Sequence, residues 1–267
     1  MRESNQGLVP VAPVRPVAPY LGGKRVLAKT IIGRIQNVPH AVYVEPFSGM
    51  GGIFLRRPFQ ARCEILNDLN GDIANLFRIL QRHYVPLMDM LRWQVTSREQ
   101  FERLRRAERS SLTDLERAVR FLYLQRTAFG GNPKWTAFGV TTSTSARFDV
   151  AKLGPILEDV HARLSRVVIE CLPWQDIIKR YDKPGTLFYL DPPYWGNETD
   201  YKAPFSRDQF EQMADVLSAI QGRFILSLND RPEVRETFKR FQIESVEVNY
   251  SINPHASVKR GEVLISN

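Results

Sequence analysis

Cysteine is scarce in this chain of 267 residues, in which only Cys63 and Cys171 occur. Each lies in an apolar, strand-like run, so the sequence excludes a disulfide framework and a zinc site built on cysteine spacing. The four histidines have no metal-ligand spacing either, and no bound metal is expected. These features favour a reducing, cytoplasmic setting.

Long hydrophobic runs are also missing. No apolar stretch approaches the ~18 residues that a membrane-spanning helix needs. The N-terminal stretch 1–20 has no apolar core of the kind that defines a signal peptide. With 43% hydrophobic and 25% charged residues, the composition is that of an ordinary globular protein, and no membrane partner is expected.

Acidic residues are fewer than basic ones, because 29 Asp and Glu stand against 37 Lys and Arg, a net charge of +8. Residues 1–44 carry six Lys or Arg against one acid, and residues 91–126 carry nine arginines against five acids. Residues 191–267 carry nine basic residues against twelve acids, a net of −3. This distribution favours an anionic partner of the N-terminal and middle segments, and a solvated basic surface is the alternative.

Apolar runs and amphipathic stretches alternate along most of the chain. Short apolar runs predict strands within the segments 41–46, 63–67, 166–171, 186–194 and 223–229. Helical spacing of apolar residues predicts helices over 24–36, 71–91 and 206–220. The alternation is typical of an α/β fold with a largely parallel sheet and helices on both faces, and the final runs FQIESVEVNY and VLISN predict a terminal antiparallel pair.

Two segments depart from this alternation. Residues 81–165 contain a helical, arginine-rich part followed by the long loop 129–149, and we interpret them as an inserted, mostly helical subdomain. Prolines recur every third residue from Pro10 to Pro19, which predicts a polyproline-like extension over 1–19 with little packing of its own. The remaining segments form the predicted main domain, 20–80 and 166–267.

The segment EPFSGMGG, from Glu45 to Gly52, joins a predicted strand to a short helix through a glycine-rich turn. Glycines let the backbone approach a ligand closely, and this turn falls at the carboxyl edge of the predicted sheet. The spacing is not GxGxxG, and Glu45 would repel a pyrophosphate but attract the ammonium of a methionine-type cofactor. A turn without a ligand is the alternative. The candidate cofactor-binding residues here are Glu45, Pro46, Phe47, Ser48, Gly49, Gly51 and Gly52.

An acid follows the next predicted strand, in Asn67-Asp68-Leu69-Asn70. In sheets of this kind an acid at the end of the second strand binds a ribose diol, and a carboxylate can accept two hydroxyl hydrogen bonds. Asp68 or Asn70 could instead cap the helix that follows. We assign ribose binding to Asp68 and capping to Asn70.

The sharpest motif is Asp191-Pro192-Pro193-Tyr194, directly after the apolar run TLFYL. A carboxylate at the end of a strand faces the cleft, and two prolines rigidify the exit and leave carbonyl oxygens free to accept hydrogen bonds. Together with the flat ring of Tyr194 they form a socket for a planar base with an exocyclic amine. A simple strand terminator is the alternative.

In this order the motifs resemble those of the Dam-type, or D12 class, DNA adenine-N6 methyltransferase family, over nearly the whole chain from residue 20. The resemblance rests on YLGGK at 20–24, EPFSGMG at 45–51, Asn67-Asp68 and the DPPY of 191–194. It implies a Rossmann-like S-adenosylmethionine-dependent methyltransferase sheet whose inserted helical subdomain recognises DNA. It also assigns further residues to the cofactor, namely Tyr20, Gly23, Lys24, Asp176 and Asp191.

The resemblance implies methyl transfer from S-adenosyl-L-methionine to the N6 amine of an adenine flipped out of double-stranded DNA. The catalytic residues would be Asp191, Pro192, Pro193 and Tyr194. Nucleoid association and a cognate restriction enzyme are further expectations of this family. A cytosine-N4 or RNA adenine methyltransferase would also suit a motif that binds an exocyclic amine, and a DNA-binding module without catalysis is the alternative of another class.

The predicted recognition region departs from the family, which often has an FNG-type turn and an FNVPFG-like segment. This chain has Phe129-Gly130-Gly131 and later Phe138-Gly139 instead, so the DNA sequence that relatives recognise is not assumed here. Arginines of the preceding helices either grip phosphates or form surface pairs with glutamates. The candidate DNA-binding residues are Arg126, Asn132, Lys134, Trp135 and Arg147.

Overall fold

The computed structural model describes residues 8–20, 22–131, 134–140, 146–196, 205–253 and 256–267. Its strands are β1 (Val9–Pro10), β2 (Val42–Glu45), β3 (Phe59–Gln60), β4 (Cys63–Asn67), β5 (Val167–Glu170), β6 (Thr186–Leu190), β7 (Arg223–Asn229), β8 (Gln242–Asn253) and β9 (Ala256–Ser266). Its α-helices are α1 (Ala28–Asn37), α2 (Gly71–Arg82), α3 (Tyr84–Arg92), α4 (Arg98–Arg106), α5 (Asp114–Thr127), α6 (Val150–Leu164), α7 (Trp174–Tyr181), α8 (Asp208–Ser218) and α9 (Pro232–Thr237). Short 3₁₀ turns cover Phe54–Arg56, Arg109–Ser111 and Phe129–Gly131.

The main sheet has seven strands in the order β5-β4-β2-β6-β7-β9-β8. The first five are parallel, and β9 runs antiparallel to both of its neighbours. Numbered within this sheet alone, the order is 3-2-1-4-5-7-6, whose first five positions follow the doubly wound arrangement. The predicted α/β class and the terminal antiparallel pair are therefore confirmed.

Both faces of the sheet are buried, which explains the unbroken apolar runs of the central strands. In β6 every residue is buried, with Leu187 and Tyr189 in one hydrophobic cluster and Phe188 and Leu190 in the other. The first cluster extends through helices α1 to α6, and the second is closed by α7, α8 and α9. The helical segment thus shares one continuous core with a face of the sheet, and its division from the main domain stays a prediction.

The helix predicted over 71–91 is two helices that meet at His83. Pro86 explains the break, because proline lacks an N–H and its ring clashes with the carbonyl four residues earlier in a continuous helix. Asn70 caps the first of the two helices, since its Oδ1 accepts a hydrogen bond from Asp72 N at 3.1 Å. This cap is the one that the sequence predicted.

The proline-rich segment packs against the protein, contrary to the prediction of an extension with little packing. Val14, Val17 and Ala18 are buried, and β1 pairs with β3. Apolar residues between the prolines supply this packing, and an extended chain can offer its free N–H groups to neighbouring carbonyls. No helix in the described part of the chain has the length and apolar character of a membrane span.

Candidate active site

A cleft of about 1080 Å³ opens at the carboxyl ends of β2, β4 and β6. The chain leaves β2 toward one side of the sheet and returns on the other, so this is the switch point where open α/β sheets bind ligands. Three of the predicted groups line this single cleft, namely the glycine turn after β2, Asp68 after β4 and Asp191 after β6.

The glycine turn is held by the acid that follows the neighbouring strand. Gly49 and Gly51 have φ values of 49° and 68°, a backbone conformation that favours glycine. Gly49 N donates to Asp68 Oδ2 at 2.8 Å, and Asn70 N donates to Asp68 Oδ1 at 2.9 Å. Burial raises the pKa of Asp68 to about 6, against these two hydrogen bonds, which lower it. Each oxygen keeps a lone pair for a further donor.

Glu45 ends β2 at the floor of the cleft and is only 1% exposed. Tyr43 OH donates to its Oε1 at 2.7 Å. Burial raises the pKa of Glu45 to about 8, although the Tyr43 bond and the Arg57 charge lower it. A positively charged neighbour would therefore stabilise the ionised form of this buried acid.

Asn67 ties three strand ends together beneath the cleft. Its Nδ2 donates to Pro46 O at 2.8 Å and Leu172 O at 3.0 Å, and its Oδ1 accepts from Leu172 N at 2.8 Å. Beside this junction the hydroxyl of Ser48 is buried, and within the described residues it has no hydrogen-bond partner. A buried hydroxyl without a partner is costly, so Ser48 has an unmet capacity for a ligand atom.

Asp191 follows β6 and is 18% exposed at its side chain. Its Oδ1 lies 2.6 Å from Lys24 Nζ and accepts a hydrogen bond from Ser227 Oγ at 3.1 Å. Burial raises the pKa of Asp191, while the Lys24 ammonium lowers it and the Glu262 carboxylate raises it further. Lys24 thus contacts the carboxylate of the DPPY motif, where the sequence alone suggested a contact with a cofactor.

The chain after Asp191 leaves the sheet along a fixed course. Asn229, at the end of β7, accepts from Trp195 N at 3.1 Å and donates to Trp195 O at 2.9 Å. Lys24 Nζ also lies 4.4 Å from the centre of the Tyr194 ring, so one ammonium contacts both the acid and the aromatic residue of the DPPY motif.

Most of the predicted cofactor and catalytic residues line the cleft, and four do not. The residues that line it are Tyr20, Gly23, Lys24, Glu45, Pro46, Phe47, Ser48, Gly49, Gly52, Asp68, Asp191 and Pro193. Gly51 is buried and faces Leu55 and Phe77 instead. Asp176 is exposed in the first turn of α7, where its neighbour Gln175 lines the cleft. Pro192 and Tyr194 lie next to lining residues without lining it themselves.

Two of the predicted DNA-binding side chains serve the fold. Trp135 is only 3% exposed, and its Nε1 donates to Gln125 Oε1 at 3.0 Å, so it cannot reach DNA in this conformation. Its large apolar ring packs against Phe121 in the core. Burying that ring stabilises the fold, which is why the side chain is not exposed for the DNA contact that the sequence predicted. Arg126 lines the cleft, but it donates to Val17 O at 2.7 Å and holds the N-terminal segment.

The other three candidates differ in their placement. Lys134 is exposed, and Arg147 is half-buried with its Nη1 3.3 Å from Ala128 O. Asn132 lies outside the described residues. Among the arginines of the preceding helices, Arg120 donates to Leu104 O at 2.6 Å and Arg117 pairs with Asp72 at 3.1 Å, so both are structural.

Sequence reasoning missed two parts of the site. One wall is formed by the proline-rich segment, through Arg15, Pro16, Ala18 and Pro19. The other missed group is Glu262 on β9, which is 1% exposed and close enough to act on the Asp191 charge. The apolar residues between the prolines could have indicated that this segment forms a wall of the cleft. No local sequence feature indicated that Glu262 lies near the site, because the register of β9 against β7 sets its position.

Comparisons with known proteins give a family match and several relatives. Residues 20–252 match the family model of the D12 class N6 adenine-specific DNA methyltransferases. The DNA adenine methylase of Haemophilus influenzae is 27% identical over 99% of this chain and 97% of its own length, and that of Escherichia coli K12 is 26% identical over 81% and 82%. The type II methyltransferase M1.LlaDCHI of Lactococcus lactis subsp. cremoris is 24% identical over 95% of both chains.

Among solved structures, the rRNA methyltransferase aviRa of Streptomyces viridochromogenes superposes with a TM-score of 0.43 and 14% identity, over 97% of this chain and 87% of that one. The family model spans most of the sequence and includes the glycine turn, Asp68 and the DPPY motif that meet at the cleft. The chain belongs to the D12 class of N6 adenine-specific DNA methyltransferases.

Proposed function

We propose that this DNA methyltransferase takes its methyl group from S-adenosyl-L-methionine and delivers it to an adenine that has left the duplex stack. The observation that carries the proposal is the meeting of the glycine turn, Asp68 and Asp191 in one cleft of about 1080 Å³. That volume reaches the upper end of the roughly 300–1,000 Å³ of common ligand pockets, which suits a nucleoside cofactor together with a base.

The residues of the cleft fit this cofactor. Asp68 would accept from the ribose hydroxyls, and the buried carboxyl of Glu45 would meet the ammonium of the methionine part. The unpartnered hydroxyl of Ser48 offers one more polar contact. When bound, S-adenosyl-L-methionine supplies a sulfonium methyl group for an in-line displacement, which needs no covalent intermediate on the enzyme.

Asp191 would bind the exocyclic amine of the target adenine. The N6 lone pair is delocalised into the ring, and a hydrogen bond from the amine to the Asp191 carboxylate makes the nitrogen more electron-rich. The amine becomes cationic as it is methylated, so a carboxylate beside it stabilises the transition state. Pro192 O would be the second acceptor, and the ring of Tyr194 would stack on the base.

Lys24 must then move when a base arrives. Its ammonium lies 2.6 Å from Asp191 Oδ1 and 4.4 Å from the centre of the Tyr194 ring, and these are the two groups assigned to the adenine. In the structure, Lys24 keeps the partly exposed Asp191 carboxylate paired. Flipping the adenine costs a few kcal/mol, which contacts in the pocket would offset.

We also propose that residues 81–165 read the DNA sequence, while 20–80 and 166–267 carry the chemistry. Support comes from the exposed arginines of α4, since Arg98 and Arg103 lie on its solvent side. Lys134 and Arg147 remain candidates for DNA contact. Exchange of this segment for that of a related methylase should change the methylated sequence and leave the methylated base unchanged.

The proposed reaction is tested with unmethylated DNA and S-adenosyl-L-methionine, followed by mass spectrometry of the nucleosides. N6-methyladenine is expected, and N4-methylcytosine would contradict the assignment of the base. Modification-sensitive sequencing of the same DNA gives the recognised site. A fluorescent adenine analogue placed there should brighten on binding if the base is flipped, and unchanged fluorescence would contradict flipping.

A further inference from the structure

Three arginines on the rim of the cleft have no acidic partner. Arg15, Arg25 and Arg56 all line the cleft, and within the described residues none of them forms an ion pair. Of the two other cations that line it, Lys24 pairs with Asp191, whereas Arg126 also lacks an acid among the described residues but is held through both Nη atoms by the carbonyls of Val17 and Arg147. These three side chains, here called the arginine rim, hold positive charge that the protein leaves unneutralised.

Hydrogen bonds and close packing bring the arginine rim together from three segments. Val14 N donates to Leu55 O at 2.7 Å, which holds the N-terminal segment, with Arg15, beside the turn that carries Arg56. Arg56 Nη1 donates to Gly52 O at 2.6 Å, so its guanidinium lies over the glycine turn. A side-chain carbon built on Gly52 would lie 3.7 Å from that nitrogen and 4.0 Å from Lys24 N, next to Arg25 in the chain.

The charges of Arg25 and Arg56 act on one another. Burial lowers the pKa of the Arg56 guanidinium, and the positive charge of Arg25 lowers it further. Like charges held close together repel. Glu45, Asp68, Asp191 and Asp208 also line the cleft, but within the described residues none of them forms an ion pair with the arginine rim. An anion bound between the guanidinium groups would relieve this repulsion.

The cleft is lined by acids at the ends of β2, β4 and β6 and by the arginine rim beside the glycine turn, and Asp208 of α8 also lines it. A nucleotide whose base enters toward Asp191 has its phosphates at the mouth, on the side of the rim. Arginine matches phosphate geometry with two parallel hydrogen bonds. We propose that Arg15, Arg25 and Arg56 hold the phosphodiester backbone beside the target adenine, an inference that rests on the proposed function. The carboxylate of the cofactor is the other anion with this chemistry.

The test removes the arginine rim in the full-length protein, with Arg15→Gln, Arg25→Gln and Arg56→Gln combined. A matched control combines Arg62→Gln, Arg166→Gln and Arg223→Gln, which removes the same charge. Those three arginines are exposed and stand at the amino ends of β4, β5 and β7, away from the cleft. Binding of a mixed-sequence duplex is measured over roughly 50–200 mM salt, the range in which phosphate contacts are most visible.

The slope of log Kd against log salt should fall by roughly 0.9 for each phosphate that the rim variant no longer binds, and the control should keep the wild-type slope. Equal slopes in the rim variant and the wild type, or an equal fall in the control, would overturn the inference. Calorimetry with S-adenosyl-L-methionine alone should give the wild-type affinity in the rim variant. Weaker cofactor binding with an unchanged salt slope would assign the anion to the cofactor and also overturn it.

Failure of the proposed function would look different. If the wild-type protein formed no N6-methyladenine in its own reaction, the proposed chemistry would fall whatever the arginines do. Normal methylation by the wild type together with an unchanged slope in the rim variant would reject the arginine rim alone. The thermal midpoint of the rim variant should stay close to the wild-type value, because the substitutions remove like-charge repulsion and one hydrogen bond, from Arg56 to Gly52 O, but no ion pair.

Discussion

Two acids of this chain, Asp191 and Glu64, each meet a cation at short range but in opposite surroundings. Asp191 lines the open cleft and binds Lys24 and Ser227 through Oδ1 alone. Glu64 on β4 is only 4% exposed and uses both oxygens, which bind Arg57 and Arg163.

The network around Glu64 is closed by aromatic rings. The Arg57 guanidinium lies 3.5 Å from the centre of the Tyr43 ring, and that of Arg163 lies 3.9 Å from the centre of the Phe54 ring. Glu64 Oε1 also accepts from Ala61 N at 3.2 Å. No ligand can compete for an acid enclosed in this way. Pairing with a cation is common to both acids, so access to a competing donor is what separates Asp191, the proposed catalytic carboxylate, from the structural Glu64.

The largest effect on stability is expected at Glu64. Glu64→Ala leaves two buried guanidiniums without their acid, so the free energy of unfolding should fall by about 3–5 kcal/mol. Urea denaturation measures this change. The control is Glu244→Ala, which breaks the exposed pair with Arg34 and should cost about 0.2–1 kcal/mol. A loss at Glu64 no greater than that of the control would break the comparison.

At Asp191 the expected loss is in rate. Asp191→Ala should lower kcat by ~10²-fold to 10³-fold or more, as expected when a group that stabilises developing charge is removed. Single-turnover methyl transfer measures it. Binding of S-adenosyl-L-methionine should weaken less than in Asp68→Ala, and an equal loss of cofactor affinity in the two variants would contradict the division of roles.

Asp68 sharpens the comparison, because it is a cleft acid that is held by backbone N–H groups and not by a cation. Asp68→Ala removes the proposed hydrogen bonds between the Asp68 carboxylate and the ribose hydroxyls of the cofactor. Hydrogen bonds to a charged group are worth about 1.5–3 kcal/mol, so cofactor affinity should fall roughly 10- to 100-fold. Calorimetry measures it. Unchanged affinity would remove the ribose-binding role of this residue.

A separate effect is a change in the pH dependence of stability at Glu45. Its pKa is about 8 in the folded protein against 4.5 for an ordinary glutamate, so the unfolded chain loses this proton first. Stability from this group is therefore present below pH 4.5 and is lost as pH rises toward about 8. Glu45→Gln keeps an acceptor for Tyr43 OH and should flatten the unfolding free energy over this range. An unchanged slope would show that Glu45 does not titrate there.

Local patterns predicted the sheet well. The runs CEILN, TLFYL and RFILSLN are strands at the predicted residues, because apolar and β-branched side chains suit a strand buried on both faces. The helix predicted over 206–220 is also confirmed, as Asp208–Ser218. Parallel strands bring their carboxyl ends to one edge, which is why groups far apart in the chain could be expected to meet.

Long-range packing decided what the patterns could not. The sequence before Trp135 is rich in glycine and proline, and the residue was predicted to contact DNA. Its ring packs beside α5 in the core instead. Arg126 was predicted to bind DNA, but it donates a hydrogen bond to the carbonyl of Val17, which lies 109 residues earlier in the chain. Such partners are invisible to any local window.

The sequence by itself determined the α/β class, the motifs at the strand ends and the residue types of the chemistry, because strand periodicity and turn composition are local properties. Tertiary structure alone decided that Lys24 pairs with Asp191, that the proline-rich segment forms a wall, and that three arginines stay unneutralised at the rim. Those outcomes depend on which distant groups the fold brings within reach of each other. Which of these groups pair and which are buried is decided by free energies that act only when the whole chain is folded.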